Sequence, residues 1–154
     1  MSENLDVQRL NAIVDRARRT FRAQACSILV HEPESRSLVF AAMSGEGSES
    51  LGRTESLVGV KLPDSAGVAG WVLATREPLF LEDVAHDRRF AEDIAETTGY
   101  VPRRLMAMPL LLEDRVLGVL EVLDPEPAKF TETGQLGDFA DEAAGALADL
   151  GLEE

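Results

Sequence analysis

ACSILVHEPESRSLVFAAM, residues 25–43, consists of two apolar runs around a short turn. In the first run, residues 25–31, Cys26, Ile28 and Val30 point one way along a strand, and Ala25, Ser27 and Leu29 point the other. Both faces are mainly apolar, so this strand belongs in the middle of a sheet covered on both sides. Glu32-Pro33-Glu34-Ser35 has turn chemistry. Residues 37–43 form a second strand, again apolar on both faces. Strand, short turn and strand give an antiparallel hairpin, and a sheet covered on both faces needs two further layers.

The flanking sequence supplies them. On the N-terminal side, Leu10, Ile13, Val14, Ala17 and Phe21 mark one face of an amphipathic helix over residues 4–22, with Asn4 as its N-cap. On the C-terminal side, residues 44–56 (SGEGSESLGRTES) have no sustained apolar pattern and read as a loop. Residues 57–62 form a short strand. Asp64 or Ser65 caps a helix running to about Arg76, where Glu77-Pro78 ends it. Residues 79–81 are extended. Asp87 caps a helix over about 88–98, whose apolar face is Phe90, Ala91, Ile94 and Ala95, with Gly99 at its C-terminal end. Residues 105–112 and 115–123 are strands around the Glu113-Asp114 turn, with Pro109 at an edge or a bulge. Leu136, Phe139, Ala140, Ala143, Leu147 and Leu150 form the stripe of a last helix, 132–150. The expected class is α+β with an antiparallel sheet, the two long terminal helices on one face and small helices plus loops on the other. Residues 1–154 are read as one domain: helix 4–22, sheet and pocket layer 25–123, helix 132–150.

Composition narrows the function classes. The chain has 154 residues, about 45% apolar and 28% charged, the balance of an ordinary globular domain. A formal net charge of −13 argues against nucleic acid, which needs a basic surface. One cysteine excludes an intrachain disulfide and a cysteine-rich metal site. No apolar run approaches the roughly 20 residues of a membrane span, and Met1 to Asp6 lack a signal-peptide pattern, so the expected location is the cytoplasm. Arg16, Arg18, Arg19 and Arg22 crowd the first helix, whereas Glu132 to Glu154 hold no basic residue. A basic first helix lying beside an acidic last one is the simplest account of that asymmetry.

Four stretches resemble the GAF domain family. They are ACSILVHEPESRSLVFAAMSG (25–45), VKLPDSAGVAGWVLATREPLFLEDVAHDRRF (60–90), RRLMAMPLLLEDRVLGVLEVLD (103–124) and KFTETGQLGDFADEAAGALADL (129–150). The resemblance implies a GAF-like fold, similar to profilin and PAS sheets, with a ligand pocket between the sheet and the loop-and-helix layer opposite the terminal helices. Members are usually parts of larger signalling proteins. Many bind cyclic nucleotides, haem, bilins or other small molecules, and some act only as dimerisation modules. On that fold, Phe40, Val60, Trp71, Phe80, Phe90, Ile94, Tyr100, Met106 and Met108 would surround the pocket. The bland alternative is that most of them simply pack as core.

The chain departs from several subtypes of the family. The cyclic-nucleotide pattern N-K/R … F-x-x-x-D-E has Asp124 at its asparagine place and Gly134-Gln135 at its D-E place, with only Phe130 kept. Cys26 sits on the first strand, not in a later His-rich loop, which disfavours a covalent bilin. The free methionine sulfoxide reductases of the family use several cysteines, which a single Cys26 does not supply.

Other chemistry has little support. His31, His86 and Cys26 have no ligand spacing, so no metal site is expected, and haem ligation by either histidine has no better support. Ser65 lacks the first glycine of a G-x-S-x-G elbow and reads as a helix cap. Gly45-x-Gly47 lacks the third glycine of a dinucleotide loop. Were the ligand an anion, the helix start near Ala66, with Arg53 and Lys61 nearby, would be the place for it. The expected function is a non-enzymatic, small-molecule-sensing domain of a signalling system that couples ligand binding to a homodimer built through the terminal helices. The alternatives are a non-binding dimerisation module and a methionine sulfoxide reductase. No cofactor is named by the sequence, and neither nucleic acid nor membrane is an expected partner.

Overall fold

In a computed structural model, residues 2–45, 58–87 and 102–150 are described. A six-stranded antiparallel sheet runs in the order β3-β2-β1-β6-β5-β4. Its strands are β1 (Ala25–Glu32), β2 (Ser37–Gly45), β3 (Lys61–Pro63), β4 (Leu79–Leu81), β5 (Leu105–Leu112) and β6 (Arg115–Leu123). The helices are α1 (Ser2–Phe21), α2 (Gly67–Thr75) and α3 (Thr133–Asp149). As the apolar character of both its faces requires, β1 is central, paired with β2 on one side and β6 on the other.

The two faces are covered differently. Cys26, Ile28 and Val30 of β1 and Leu117, Leu120 and Val122 of β6 pack with Leu10, Ile13, Val14, Ala17 and Phe21 of α1 and Leu136, Ala140, Ala143 and Leu147 of α3. On the opposite face, Leu29 and Val119 pack with Val68, Ala69 and Val72 of α2 and with Leu79 and Leu81 of β4. α2 is apolar nearly all round, as suits a short helix pressed between sheet and surface. Gly70 lets the preceding turn fold tightly against the helix: a Cβ there would lie 2.6 Å from the carbonyl carbon of Ser65.

Several local expectations give way to tertiary context. α1 already begins at Ser2, so Asn4 lies inside it. β3 is shorter than the expected 57–62 and ends at Pro63. α2 starts after Ala66 with no side-chain cap, so neither Asp64 nor Ser65 has that role. Asp64 accepts or shares a hydrogen bond with His31 instead, at 3.0 Å. Pro109 lies on β5 beyond the reach of β4, which pairs only with residues 105–107, and one step before a register shift at Leu110/Leu111. At Pro109, the flank of β5 away from β6 has no neighbouring strand among the described residues. Most of the expected loop 44–56 and the whole expected helix 88–98 fall outside the described residues.

Candidate functional site

Strand alternation determines what faces α2. In β5, Leu105 and Ala107 pack on the α2 face, so Met106 and Met108 between and beside them pack against the α1 and α3 core. Phe80 follows the same rule in β4. Leu79 and Leu81 face α2, whereas Phe80 turns to the helices and meets Phe130 edge-on, with ring centroids 6.5 Å apart. The expectation that Phe80, Met106 and Met108 line the pocket is therefore corrected: they belong to the other face. Phe40 is buried on the α2 face, and Val60 and Trp71 are half-buried against the same cluster. Phe90, Ile94 and Tyr100 lie outside the described residues.

β2 reaches the α2 face through a bulge. Ile28 pairs with Ala42 and Leu29 with Phe40, leaving Ala41 as the extra residue. Leu38 and Phe40 before it face α2, while Ala42 after it faces the terminal helices. Phe40 and Met43 consequently share one face although they are three residues apart.

Two polar residues stand at the centre of this apolar face. Ser27 and Glu121 are cross-strand partners on β1 and β6, with Met43 beyond Ser27 and Ala107 beyond Glu121. Both lie between residues that pack against α1 and α3, which turns their own side chains towards α2. Ser27 is 1% exposed, and its Oγ makes no hydrogen bond. A buried hydroxyl left without a partner costs about 1–3 kcal/mol. Glu121 keeps some solvent contact as a residue, yet its carboxyl is desolvated enough to be pushed up to about 7 from an ordinary 4.5. No ion pair or hydrogen bond to it is found among the described residues. Neither residue was among the expected pocket residues. The available signal was a lone carboxylate in VLGVLEVL, a run whose two faces both had to be buried.

The other candidates resolve into structural roles. Cys26 is fully buried on the terminal-helix face, and burial, assisted by the negative charge of Glu121, pushes its thiol up. A thiol held protonated there is a poor nucleophile. His31 pairs with Asp64, and His86 with Asp83 at 2.7 Å. No group of three metal-ligating side chains occurs among the described residues. Lys61 is engaged with Glu32 at 3.2 Å, and Asp64, in the turn before α2, is hydrogen-bonded to His31. Arg53 lies outside the described residues. Asp124, at the family's asparagine place, accepts the backbone N–H groups of Arg103 and Arg104 at 2.8 and 3.0 Å and so ties the start of β5 to the end of β6. An open cleft of about 570 Å³ lies on the outer side of α2, between Asp64, Gly70 and Trp71. Of the expected pocket residues it touches Trp71 alone.

Comparison with known proteins agrees with this layering. The family model described as "GAF domain" matches residues 7–147. A probable 3',5'-cyclic phosphodiesterase, pde-5, of Caenorhabditis elegans is 29% identical over 93 residues, which are 60% of this chain and 13% of that protein. The chain thus spans about an eighth of that relative's length. Among solved structures, the GAF domain from the Acinetobacter phosphoenolpyruvate-protein phosphotransferase superposes with a TM-score of 0.73 at 23% identity, over 91% of this chain and 80% of that one. The free methionine-R-sulfoxide reductase of Neisseria meningitidis, solved with its substrate, gives 0.71 at 21% identity, over 93% and 78%. At these identities the structural matches speak for the fold.

Proposed function

Because the chain belongs to the GAF domain family, we propose that it is a regulatory domain of a signalling system that takes a small molecule between the α2 layer and the sheet. The observation that carries this reading is the Ser27–Glu121 pair. A face evolved only to be filled would not place an unpartnered hydroxyl and an unpaired carboxyl side by side at the centre of its apolar surface. The phosphodiesterase relative supports a signalling context. Its catalytic activity is not carried over, since the chain matches so small a share of it. The same two strands, β1 and β6, present Cys26, Ile28, Leu120 and Val122 to the terminal helices, so a ligand that shifts them also shifts the packing of α1 and α3. The domain acts in the cytoplasm as a non-enzyme: its single thiol is buried on the face away from α2.

Native mass spectrometry followed by denaturing mass spectrometry of one sample tests the reading. A small-molecule mass carried by the native chain and lost on denaturation is the expected result. A bare native mass, together with a melting temperature that no small-molecule collection raises, sinks it in favour of the second reading, a dimerisation or interaction module with a filled core. The closed packing of Phe40, Val72 and Val119 on this face is the observation on that side.

A further inference from the structure

We propose that Ser27 and Glu121 are the recognition pair for a ligand bearing a protonated amine or amidinium group, an assignment that rests on the ligand-binding reading above. Registered antiparallel partners hold their Cβ atoms about 5 Å apart, so one ammonium nitrogen placed over the pair reaches the Glu121 carboxylate and the Ser27 Oγ together. An ammonium group brings three donors and no acceptor. Glu121 supplies the charge and an acceptor, and Ser27, whose Oγ is without a partner, supplies the second acceptor.

The surroundings select the sign of the ligand. α2, GVAGWVLAT, contains no titratable side chain. On the α2 face, the residues of β1, β5 and β6 other than Ser27 and Glu121 are apolar except His31, four residues along β1 from Ser27, which pairs with Asp64 of the turn before α2 at 3.0 Å. The charged side chains of α1 and α3 belong to helices on the far side of the sheet. Among the described residues, then, nothing on this face neutralises Glu121, and an anionic ligand would meet an uncompensated like charge. A cation instead relieves the cost of ionising a desolvated carboxyl. The apolar side chains around the pair would take the rest of such a molecule.

Binding of a cation draws Glu121 into its charged form. Affinity therefore falls about tenfold per pH unit below the point where the free carboxyl titrates. A neutral hydrogen-bond acceptor would show the reverse, binding the protonated acid and weakening as pH rises.

The test uses the full chain and two matched triplets, phenethylammonium, 2-phenylethanol and 3-phenylpropionate, and 1-butylammonium, 1-butanol and valerate. Melting shifts and calorimetric affinities are read at pH 8 and pH 5.5. The expected result is that ammonium members outrank their alcohols and carboxylates at pH 8, lose at least tenfold at pH 5.5, and lose both the preference and its pH dependence in Glu121→Gln. Ser27→Ala, which keeps the carboxylate, is expected to lose several-fold. Glu121→Gln is near-isosteric, and an unchanged or higher melting temperature at pH 8 certifies its fold. An alcohol or carboxylate outranking its ammonium, or ammonium binding unchanged in Glu121→Gln, overturns the ligand class and leaves the binding reading standing. No binding by any member of either triplet overturns the ligand class, and the native mass described above then decides the binding reading separately.

Discussion

Glu121 carries a cost that can be measured without any ligand. Its carboxyl is desolvated in the folded chain and titrates near 7, against 4.5 for an ordinary glutamate. Between those two values the native state holds a proton that the unfolded chain has released. Native stability from this group is therefore present below about pH 4.5 and is lost as pH rises through 7. At 1.36 kcal/mol per unit, the loss is at most about 3 kcal/mol, reduced by the solvent contact the residue retains. Glu121→Gln removes the ionisation and is expected to stabilise the protein at pH 8 but leave it nearly unchanged at pH 4.5. Urea midpoints at the two pH values check this, and an equal difference at both would mean that the carboxyl ionises freely. Ser27→Ala is expected to be neutral or stabilising by up to about 1 kcal/mol in the ligand-free chain, since it removes an unsatisfied buried hydroxyl. A loss above about 1 kcal/mol would show that Oγ has a partner in solution. Both substitutions thus oppose, in the empty protein, the direction expected for ligand affinity.

At the scale of elements, the same substitution separates a helix that is seated from one that is merely present. Gly70 of α2 has no room for a methyl group, because its Cβ would meet the backbone of the preceding turn, whereas Gly145 of α3 is exposed with nothing within 4 Å. Gly70→Ala is expected to cost on the order of 2 kcal/mol by overpacking. Gly145→Ala is expected to gain about 0.5–1 kcal/mol from helix propensity. Chemical denaturation of the two variants checks the pair, and a stable Gly70→Ala chain would show that α2 rides loosely on the turn. The elements themselves were largely legible in the sequence. The two-sided apolar character of residues 25–31 placed β1 in the middle, and the stripes of α1 and α3 put both helices on one face. The site was less so. Phe80, Met106 and Met108 were assigned to the pocket by residue type, yet the period of two in their strands puts them opposite. The bulge at Ala41 leaves no mark in an apolar run, so nothing in SLVFAAM shows where the faces exchange. Asp64 has the chemistry of a helix cap, but His31, distant in sequence, holds it. Such partners are set by the fold and are invisible to local reading.

At the scale of the whole molecule, the apolar residues of the terminal helices whose burial is described are mostly packed on the sheet. The acidic α3 and basic α1 attract each other as their charges suggest: Arg9 pairs with Asp149 at 2.8 Å, and Arg16 with Glu142. These pairs are exposed, so each contributes no more than about 1 kcal/mol, and their role is alignment more than stability. Of the α3 stripe, Leu136, Ala140, Ala143 and Leu147 are buried within the chain, leaving Phe139 and Leu150 half-buried. The face of Phe139 is itself covered by the guanidinium of Arg16, 5.7 Å from the ring centroid. The large hydrophobic residues exposed among the described residues, Val58 and Leu111, lie elsewhere. A homodimer through the helices would thus rest on a small apolar patch ringed by charge, far from the apolar surface of an obligate interface. We therefore expect self-association to be weak, with a Kd on the order of 100 µM, equivalent to about −5.5 kcal/mol. Sedimentation velocity from micromolar to millimolar chain is expected to show a concentration-dependent shift from a 16.7 kDa monomer. Phe139→Glu, which puts a like charge beside the acidic residues of α3, is expected to abolish that shift. A dimer that persists at nanomolar concentration, or one indifferent to Phe139→Glu, would place the interface elsewhere and remove the helix pair as the route by which a ligand is read out.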